Sequence, residues 1–367
     1  YGVLLSGGTD SRLVLGAIDD DVDVVAFHMA DWMSREARTA ERVAMSEDVE
    51  FRFLRRDSDY YGRLLDRTPR MWNFSQTYNQ AWAGGFMDEI RSAVDVLLTG
   101  HFCDTMFKGW FVPKRHLTFG PIGPVATPFE QPIGTIDRYV SEVCPPKPGY
   151  VDADVTPEAV LSENIQRTER GVEGYGVEFD SIRDYALGMP HYPASTDSFF
   201  RQSLREHLPL QMPVLDDRLI DLWASMPVRI QLRRNVVASA LRAIDPDLST
   251  IPHAEGGRPP TASLPRRLLG SVLTTVRRRL TPFDEVPAPW LDHSPWGDLA
   301  AIIRHEPFIE GAIREEEDLI RALPFLDWDG VFDAYESHLD GRDNTRELLR
   351  LVTFLKAPVT RELAGVD

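Results

Sequence analysis

The residues best suited to chemistry form a short polar stretch near the start of the chain, which runs Ser6-Gly7-Gly8-Thr9-Asp10-Ser11. The apolar residues before it predict a buried strand, and the apolar spacing after it predicts a helix. Between a strand and a helix, glycines let backbone N–H groups approach phosphate oxygens, and the helix dipole favours an anion. The serine hydroxyls add hydrogen-bond donors, and Asp10 is a candidate magnesium ligand. The pattern predicts a phosphate-binding loop; the alternative is a plain turn whose glycines serve geometry alone.

A second apolar strand that ends in a glycine turn is predicted within residues 94–110. Thr99 and Gly100 form the turn, and His101 and Asp104 follow it. In an open sheet of parallel strands, the carboxyl ends lie along one edge, where ligands bind. We therefore expect the carboxylates of Asp10 and Asp104 to lie close together, and such a pair predicts a magnesium site.

The residues between these motifs alternate between strand and helix patterns. Strands are predicted at 22–27 and 51–54, and a helix that begins at a Ser34 cap is predicted at 34–45. A further helix is predicted at 80–94, although two glycines weaken it. Alternation of this kind predicts a parallel sheet covered by helices.

The fold class predicted from the whole chain is α/β: a parallel sheet with flanking helices, plus a mainly helical C-terminal half. A strongly periodic helix with Asn344 as its cap closes the chain. Length and composition divide the chain into an α/β core at 1–120, an irregular connection rich in proline and glycine at 121–194, and a helical part at 195–367.

The polar stretch differs from two common nucleotide-binding loops, the Walker A loop and the Gly-x-Gly-x-x-Gly loop. It is similar to the signature of the N-type ATP pyrophosphatases, and the preceding Tyr-Gly-Val-Leu-Leu resembles the asparagine synthetase and β-lactam synthetase branch. Residues 99–110 resemble that family's segment Ser-Gly-Glu-Gly-Ala/Ser-Asp-Glu-Leu-Phe-Gly-Gly-Tyr. The resemblance implies a fold of the adenine nucleotide alpha hydrolase type with a pyrophosphatase loop.

The resemblance also implies a reaction and the residues that serve it. A carboxylate, aspartate by default, would attack the α-phosphate of ATP to give an acyl-adenylate and pyrophosphate, and ammonia or another amine would then displace AMP. ATP and Mg²⁺ would be the cofactors, with Asp10 and Asp104 as magnesium ligands. The residues that would bind ATP or pyrophosphate are Leu5, Ser6, Gly7, Gly8, Asp10, Ser11, Met29, Thr99 and Gly100.

Two positions depart from the family pattern. His101 stands where the family has a glutamate proposed as general base; a histidine also accepts a proton near neutral pH, and a purely structural histidine is the alternative. The family lysine that stabilises charge during acyl transfer has no counterpart, because no lysine lies between Lys147 and Lys356. Arg258 is the candidate replacement, since a guanidinium binds phosphate oxygens well, but it cannot relay a proton.

These departures leave two alternatives to an asparagine-forming ligase. The first is an enzyme with the same loop that acts on another carboxylate or amine, such as an antibiotic-type amide or a modified tRNA base. The second is a nucleotide-binding protein that has lost catalysis and works through interaction.

The charge of the chain limits its partners. There are 57 Asp and Glu residues against 40 Lys and Arg residues, and the net charge is −17. An acidic surface disfavours nucleic acid as the main partner, because phosphate binding needs basic surface. Since lysines are scarce among the basic residues, we also expect a surface adapted to a high-salt cytoplasm; a denaturation series from low to molar KCl tests this.

Cysteine usage and hydropathy indicate where the protein works. Two cysteines, Cys103 and Cys144, argue against a disulfide framework and fit a reducing interior. Because no signal peptide and no membrane-length apolar run is recognisable, we expect a cytoplasmic protein without a membrane partner. The chain begins directly in a predicted core strand, so we expect it to be part of a longer protein. The resemblance implies an N-terminal glutaminase domain, outside these residues, as the ammonia source; assembly into a homo-oligomer stays open.

Overall fold

The computed structural model of the chain forms two compact units, each assembled from three stretches. The first, which we call the sheet unit, comprises Tyr1–Asp57, Phe86–Gln131 and Arg201–Asp298. The second, which we call the helical unit, comprises Ser58–Gly85, Pro132–Phe200 and Leu299–Asp367. The structure describes residues 1–67, 77–109, 114–115, 117–118, 124–125, 131–132, 140, 147–152, 154, 156–173, 200–232, 235–254, 257–260, 262–263, 265, 269, 273 and 294–365.

The two units interleave along the chain. Residues 58–85 and 299–367 belong to the same helical unit. The division expected from the sequence, at 1–120, 121–194 and 195–367, puts these two stretches in different parts. The length and composition of a chain do not indicate which distant stretches pack together. The interleaving of the two units therefore could not be predicted from them.

A parallel sheet of five strands forms the centre of the sheet unit. Its strands are β1 Gly2–Leu4, β2 Val25–Ala30, β3 Glu50–Arg55, β4 Leu97–Leu98 and β9 Leu210–Gln211. They lie side by side in the order β3-β2-β1-β4-β9. The chain leaves β1 toward β2 on one side and reaches β4 on the other, so the strand order reverses between β1 and β4. In open α/β sheets the crevice at such a reversal is where ligands bind. The parallel sheet with its flanking helices confirms the predicted α/β class.

The strand predicted at 22–27 lies three residues further along, at Val25–Ala30. Sequence periodicity ends at Phe27 because the next residue is a histidine. In the structure His28 is nonetheless buried within the strand, and its Nδ1 donates to the Leu5 carbonyl oxygen at 2.8 Å. The hydrogen bond to β1 makes a polar residue acceptable inside this strand.

Helices and 3₁₀ turns surround the sheet. They are α1 Thr9–Leu15, α2 Arg35–Ser46, Met87–Ala93, Cys103–Phe107, Asp217–Ser225, Val228–Leu232 and Val236–Ile244, with 3₁₀ turns at Pro213–Leu215 and Leu248–Thr250. A further 3₁₀ turn, Gly84–Phe86, spans the boundary in sequence between the two units. The predicted Ser34 cap of α2 is confirmed, because Ser34 Oγ accepts from the Ala37 N–H at 3.2 Å. The helix predicted at 80–94 is regular only at Met87–Ala93; the two glycines before it favour 3₁₀ turns instead.

One hydrophobic core joins the sheet to α1, α2 and the helix Val236–Ile244. Its buried members include Val3 and Leu5 next to the polar stretch, Val14 and Leu15 on α1, and Leu241. The polar stretch is therefore held on both sides by elements that bury apolar surface.

The part of the helical unit that the structure describes consists mainly of helices. Their bounds are Tyr60–Arg67, Pro157–Glu173, Leu299–His305, Phe308–Glu315, Glu317–Ala322, Trp328–Leu339, Thr345–Leu355 and Pro358–Ala364, with a 3₁₀ turn at Tyr78–Ala81. Asn344 lies at the predicted cap position, but its side chain does not cap the helix: Nδ2 donates to the Ala334 carbonyl and to Ser337 Oγ of the preceding helix. The predicted capping role is wrong, and Asp343 accepts from the Thr345 N–H instead.

The segment 121–194, expected to be an irregular connection, includes a helix of 17 residues at Pro157–Glu173. Short strands precede it, with β6 Leu117–Thr118 paired to β7 Pro124–Val125, and β5 Lys114–Arg115 in a sheet with β8 Gln131–Pro132. Most of its other residues, Cys144 among them, lie outside the described residues. Among those that the structure describes, no helix has the length and apolar character to cross a membrane.

Acidic side chains gather where α2 ends. Glu47 is half-buried there, beside Asp245, Asp20 and Asp247. Burial and the neighbouring carboxylates together raise the pKa of Glu47 to about 7. The native protein therefore holds a proton here that the unfolded chain, with an ordinary glutamate pKa, releases at lower pH.

We expect Glu47→Gln to stabilise the protein at about pH 8 and to leave stability unchanged near pH 4, where the carboxyl is protonated in both states. Because the folded pKa is raised, stability falls as the pH rises from the unfolded pKa through about 7. Solvent screening limits the gain at low salt to less than about 1 kcal/mol. Chemical denaturation at both pH values, in low and molar KCl, measures it. The exposed Glu362→Gln is the control; an equal gain in both variants contradicts the assignment.

Candidate active site

The polar stretch forms a compact loop between β1 and α1. The Ser6 N–H donates to Ser11 Oγ at 2.9 Å, and the Gly8 N–H donates to Ser6 Oγ at 3.1 Å. The two serine hydroxyl oxygens are 3.0 Å apart. These bonds fold the loop, which we call the phosphate loop (residues 6–11), around the pair of serines.

Gly7 is required by close packing. A Cβ atom at this position would stand 2.5 Å from the Ala254 Cβ and 3.0 Å from Glu36 Cγ. Glu36, in the first turn of α2, accepts from the Gly7 N–H at 3.3 Å. The glycine therefore lets the phosphate loop contact both α2 and the segment around residue 254.

Arg12, the first residue after the loop, is fully buried and anchors the loop from behind. Its guanidinium donates to the carbonyl oxygens of Gly7 at 3.0 Å, Ile251 at 2.7 Å and Pro252 at 3.0 Å. A guanidinium presents donors in a planar fork, so one side chain can serve several acceptors at once. Arg12 thus ties the phosphate loop to residues 251–252, far along the chain.

The turn after β4 lies directly against the phosphate loop. A Cβ atom on Gly100 would stand 2.8 Å from the carbonyl carbon of Asp10 and 2.9 Å from its Cβ. Thr99 is buried, and its N–H donates to the Gln211 carbonyl at 3.1 Å. The two predicted motifs therefore meet at the point where the strand order reverses.

The two predicted magnesium ligands come together around a lysine. The Lys108 Nζ lies 2.7 Å from the Asp10 carboxylate and 2.7 Å from Asp104 Oδ1. The side chains of Asp10 and Lys108 are largely buried, each 18% exposed, whereas that of Asp104 is 49% exposed. The expected approach of the two carboxylates is present, and Lys108 is a member of the site that motif comparison missed.

Burial and the neighbouring opposite charges shift the pKa values of Asp10 and Lys108 in opposite directions. Burial and the nearby Asp104 raise the pKa of Asp10, the Lys108 ammonium counteracts the rise, and the pKa that results is about 7. Burial lowers the pKa of Lys108, but the two carboxylates outweigh burial and leave it above its ordinary value. Lys108 is therefore charged at neutral pH, and Asp10 needs a cation beside it.

The donor set of this cluster fits magnesium that is shared with phosphate. Magnesium takes oxygen ligands and is commonly bound by one or two carboxylates plus substrate phosphates and water. Asp10 and Asp104 both reach a single cationic nitrogen, so they can reach one metal ion. No cluster of three or more His, Cys, Asp or Glu side chains suited to a metal occurs among the described residues. The remaining ligands would be phosphate oxygens and water.

His101 lies next to this cluster, close to both Arg201 and Asp104. Burial and the charge of Arg201 lower its pKa, Asp104 opposes both, and the pKa that results is about 4. The imidazole is therefore neutral at pH 7 and has a lone pair that can accept a proton. With this pKa it is a weak base in the absence of ligand.

Phe102, the next residue, has left-handed backbone with φ at 71°. This conformation favours glycine, which the family segment has at this position. The Arg201 guanidinium lies over the Phe102 ring, 4.7 Å from the ring centroid. Strained residues of this kind are concentrated at functional sites.

Leu5 and Met29, expected near the nucleotide, are both core residues in the structure. The Leu5 side chain packs in the core of the sheet unit, its N–H donates to Phe27 and its carbonyl accepts from His28. Met29 is 2% exposed within β2. In the part of the chain that the structure describes, both residues therefore pack in the sheet beneath the site.

Residues 251–254 lie against the phosphate loop, and a backbone hydrogen bond joins them to Arg258. The Ala254 N–H donates to the Gly7 carbonyl at 3.2 Å, and the His253 N–H donates to the Arg258 carbonyl at 2.7 Å. His253 Nε2 would be 3.8 Å from a Cβ on Gly8. Arg258 is half-buried, and its backbone bond to His253 puts it in the neighbourhood of the loop.

Three members of the site were missed at first: Arg12, Glu36 and Lys108. Arg12 directly precedes the apolar run Leu13-Val14-Leu15, and a charged residue beside such a run is a signal for a buried polar role. Lys108 is the first lysine of a chain that has very few, and it follows Asp104 by one helical turn. The contact of Glu36 with Gly7 leaves no sequence signal, because α2 is expected to have an acidic first turn in any case.

The family model described as asparagine synthase matches residues 1–247, which include the phosphate loop, the Lys108 cluster and most of the sheet unit. No curated protein matches the chain. The chain belongs to the asparagine synthase family, a family of ATP-dependent amide-forming ligases.

Proposed function

We propose that this protein adenylates a carboxylate substrate at the edge of the sheet and then forms an amide from it. ATP would bind along the phosphate loop, and the carboxylate would attack its α-phosphate and release pyrophosphate. Ammonia or another amine would then displace AMP. Aspartate is the default carboxylate because of the family, which gives asparagine as the product.

One observation carries this proposal: the phosphate loop, the Gly100 turn and the carboxylates of Asp10 and Asp104 converge at the reversal of the strand order. A structural protein gains nothing from burying Asp10 beside a second carboxylate, since both charges must be compensated. A site for a polyphosphate with a divalent ion accounts for the arrangement.

The residues of the site have distinct roles in this proposal. The serine hydroxyls and backbone of the phosphate loop would bind the phosphates, and Asp10 and Asp104 would hold magnesium. When bound, magnesium neutralises phosphate charge and makes pyrophosphate a better leaving group. His101, neutral at pH 7, would accept a proton from the attacking amine. Arg258 would stabilise negative charge as a permanent cation.

The test is pyrophosphate release from Mg-ATP in high KCl, with aspartate and ammonium present or omitted. We expect release to require a carboxylate and to fall about 100-fold or more in Asp10→Ala, because preorganised charge supplies much of the rate in such sites. Asp88→Ala, which changes an aspartate whose side chain is 90% exposed, is the matched control and should keep the wild-type rate. A carboxylate panel with ammonium and other amines identifies the substrates.

A second candidate function is nucleotide binding without catalysis. The observation that favours it is the ion pair of Lys108 with both expected magnesium ligands. ATP binding without pyrophosphate release, for every carboxylate of the panel, would replace the ligase proposal by this one.

A further inference from the structure

Lys108 is the feature of the site that the family pattern does not account for. It stands where the quoted family segment has the first glycine of Gly-Gly-Tyr, so the pattern has no side chain at this position. In the structure its ammonium lies 2.7 Å from both Asp10 and Asp104. An ammonium contacting the two expected metal ligands needs a functional account of its own.

The location of Lys108 explains how it reaches both carboxylates. Asp104, in the short helix Cys103–Phe107, and Lys108, the residue directly after that helix, are four positions apart, so their side chains lie on one face. The Gly100 turn brings Asp10 to that face through its close backbone approach. The lysine is therefore fixed by helix geometry on one side and by the turn on the other.

We propose that Lys108 is the internal counter-ion of the Asp10 and Asp104 pair, and that it yields these carboxylates to a divalent ion only when a polyphosphate binds. This inference rests on the proposed nucleotide site. Without nucleotide, the ammonium neutralises one carboxylate charge and occupies their shared side, so the pair has little affinity for a metal. When a polyphosphate is present, its negative charge offers Lys108 a new partner, and the carboxylates become available.

The proposal follows from the charges of the cluster. Two carboxylates and one ammonium carry a net charge of −1, compared with −2 for the carboxylates alone. The attraction between unit charges a few ångströms apart amounts to several kcal/mol at partly buried positions. Removing the ammonium therefore strengthens the binding of a free divalent ion, whereas a lysine outside the site would have no such effect.

The test measures binding of Mn²⁺, a stand-in for magnesium, from the loss of the electron paramagnetic resonance signal of the free ion. We expect wild-type protein to bind Mn²⁺ weakly alone and much more tightly with α,β-methylene-ATP, which cannot release pyrophosphate. Lys108→Met should bind Mn²⁺ alone about tenfold or more tighter than wild type, with a much smaller gain on adding nucleotide. Lys108→Arg, which keeps the charge, should behave like wild type.

Matched variants separate this effect from a general loss of positive charge. Lys356 also lies between two carboxylates, Glu315 and Glu316, but in the helical unit, so Lys356→Met should leave Mn²⁺ binding unchanged. Asp104→Asn in the Lys108→Met background should remove the gained affinity. If Lys108→Met does not fold, Lys108→Gln replaces it.

Equal Mn²⁺ affinity of the wild-type and charge-neutral proteins in the absence of nucleotide would overturn the proposal. The measurement requires no turnover, so it is distinct from the test of the ligase proposal. A protein that shows the expected Mn²⁺ behaviour without releasing pyrophosphate would refute the ligase activity alone. The reverse result would refute the role of Lys108 alone.

Discussion

Gly100→Ala is expected to lower pyrophosphate release by about 100-fold or more, because displacements near 1 Å in an active site have effects of that size. The added methyl group would stand 2.8 Å from the Asp10 carbonyl carbon and 3.0 Å from its carbonyl oxygen. Both atoms belong to the backbone, so a side-chain rotation cannot relieve the clash. The phosphate loop or the turn must move, and Asp10 moves away from Asp104.

The effect of Gly100→Ala on stability should be smaller than its effect on activity. Overpacking of this kind costs about 1–3 kcal/mol. Gly311→Ala is the matched control, since a Cβ there meets nothing within 4 Å and the residue lies in the helix Phe308–Glu315. It should stabilise the protein by about 0.5–1 kcal/mol. Steady-state kinetics and urea denaturation of both variants measure the two effects; full activity of Gly100→Ala would show that the turn does not set the site.

Arg12→Leu is expected to lower the free energy of unfolding by about 3 kcal/mol or more, because buried acceptors left without a donor cost about 1–3 kcal/mol each. The Ile251 and Pro252 carbonyls would each lose the bond from Arg12, while the Gly7 carbonyl keeps the bond from Ala254. The link between the phosphate loop and residues 251–252 would be lost as well. Nucleotide binding should therefore weaken even under conditions where the variant is folded.

Arg314→Leu is the control for Arg12→Leu. Arg314 is 60% exposed, pairs with Glu310 one turn away and lies over the Phe332 ring, an arrangement worth less than about 1.5 kcal/mol. Denaturant unfolding of both variants, with and without a bound ATP analogue, gives the comparison. Similar stability losses would mean that the buried hydrogen bonds of Arg12 do not hold the loop.

The parts of the site that the sequence predicted are those encoded by local pattern. The serines, glycines and Asp10 of the phosphate loop lie in consecutive positions between a strand and a helix. Thr99, Gly100 and Asp104 repeat the arrangement at a second strand, and parallel pairing was enough to predict that the two carboxylates meet. The asparagine synthase family was predicted from the same residues, and the match over residues 1–247 confirmed it.

The parts that were missed depend on contacts between distant residues. Arg12 binds carbonyls some 240 positions away, and nothing near it in sequence indicates those partners. The family pattern does not predict Lys108 as a site residue, because its counterpart there is a glycine. In the structure its long cationic side chain contacts both Asp10 and Asp104. Asn344 was placed correctly at a helix start, but its side chain bonds to the preceding helix, a choice that only packing determines.

Adenylation of a carboxylate is tested most directly by following the transfer of an oxygen atom from the carboxylate to AMP. The carboxylate that supports pyrophosphate release, aspartate by default, is labelled with oxygen-18 and incubated with the protein, ATP and ammonium in high KCl. We expect AMP that carries one labelled oxygen, because the oxygen that attacks phosphorus stays with AMP when the amine displaces it. AMP without label, or label in inorganic phosphate together with ADP, would contradict adenylation of the carboxylate.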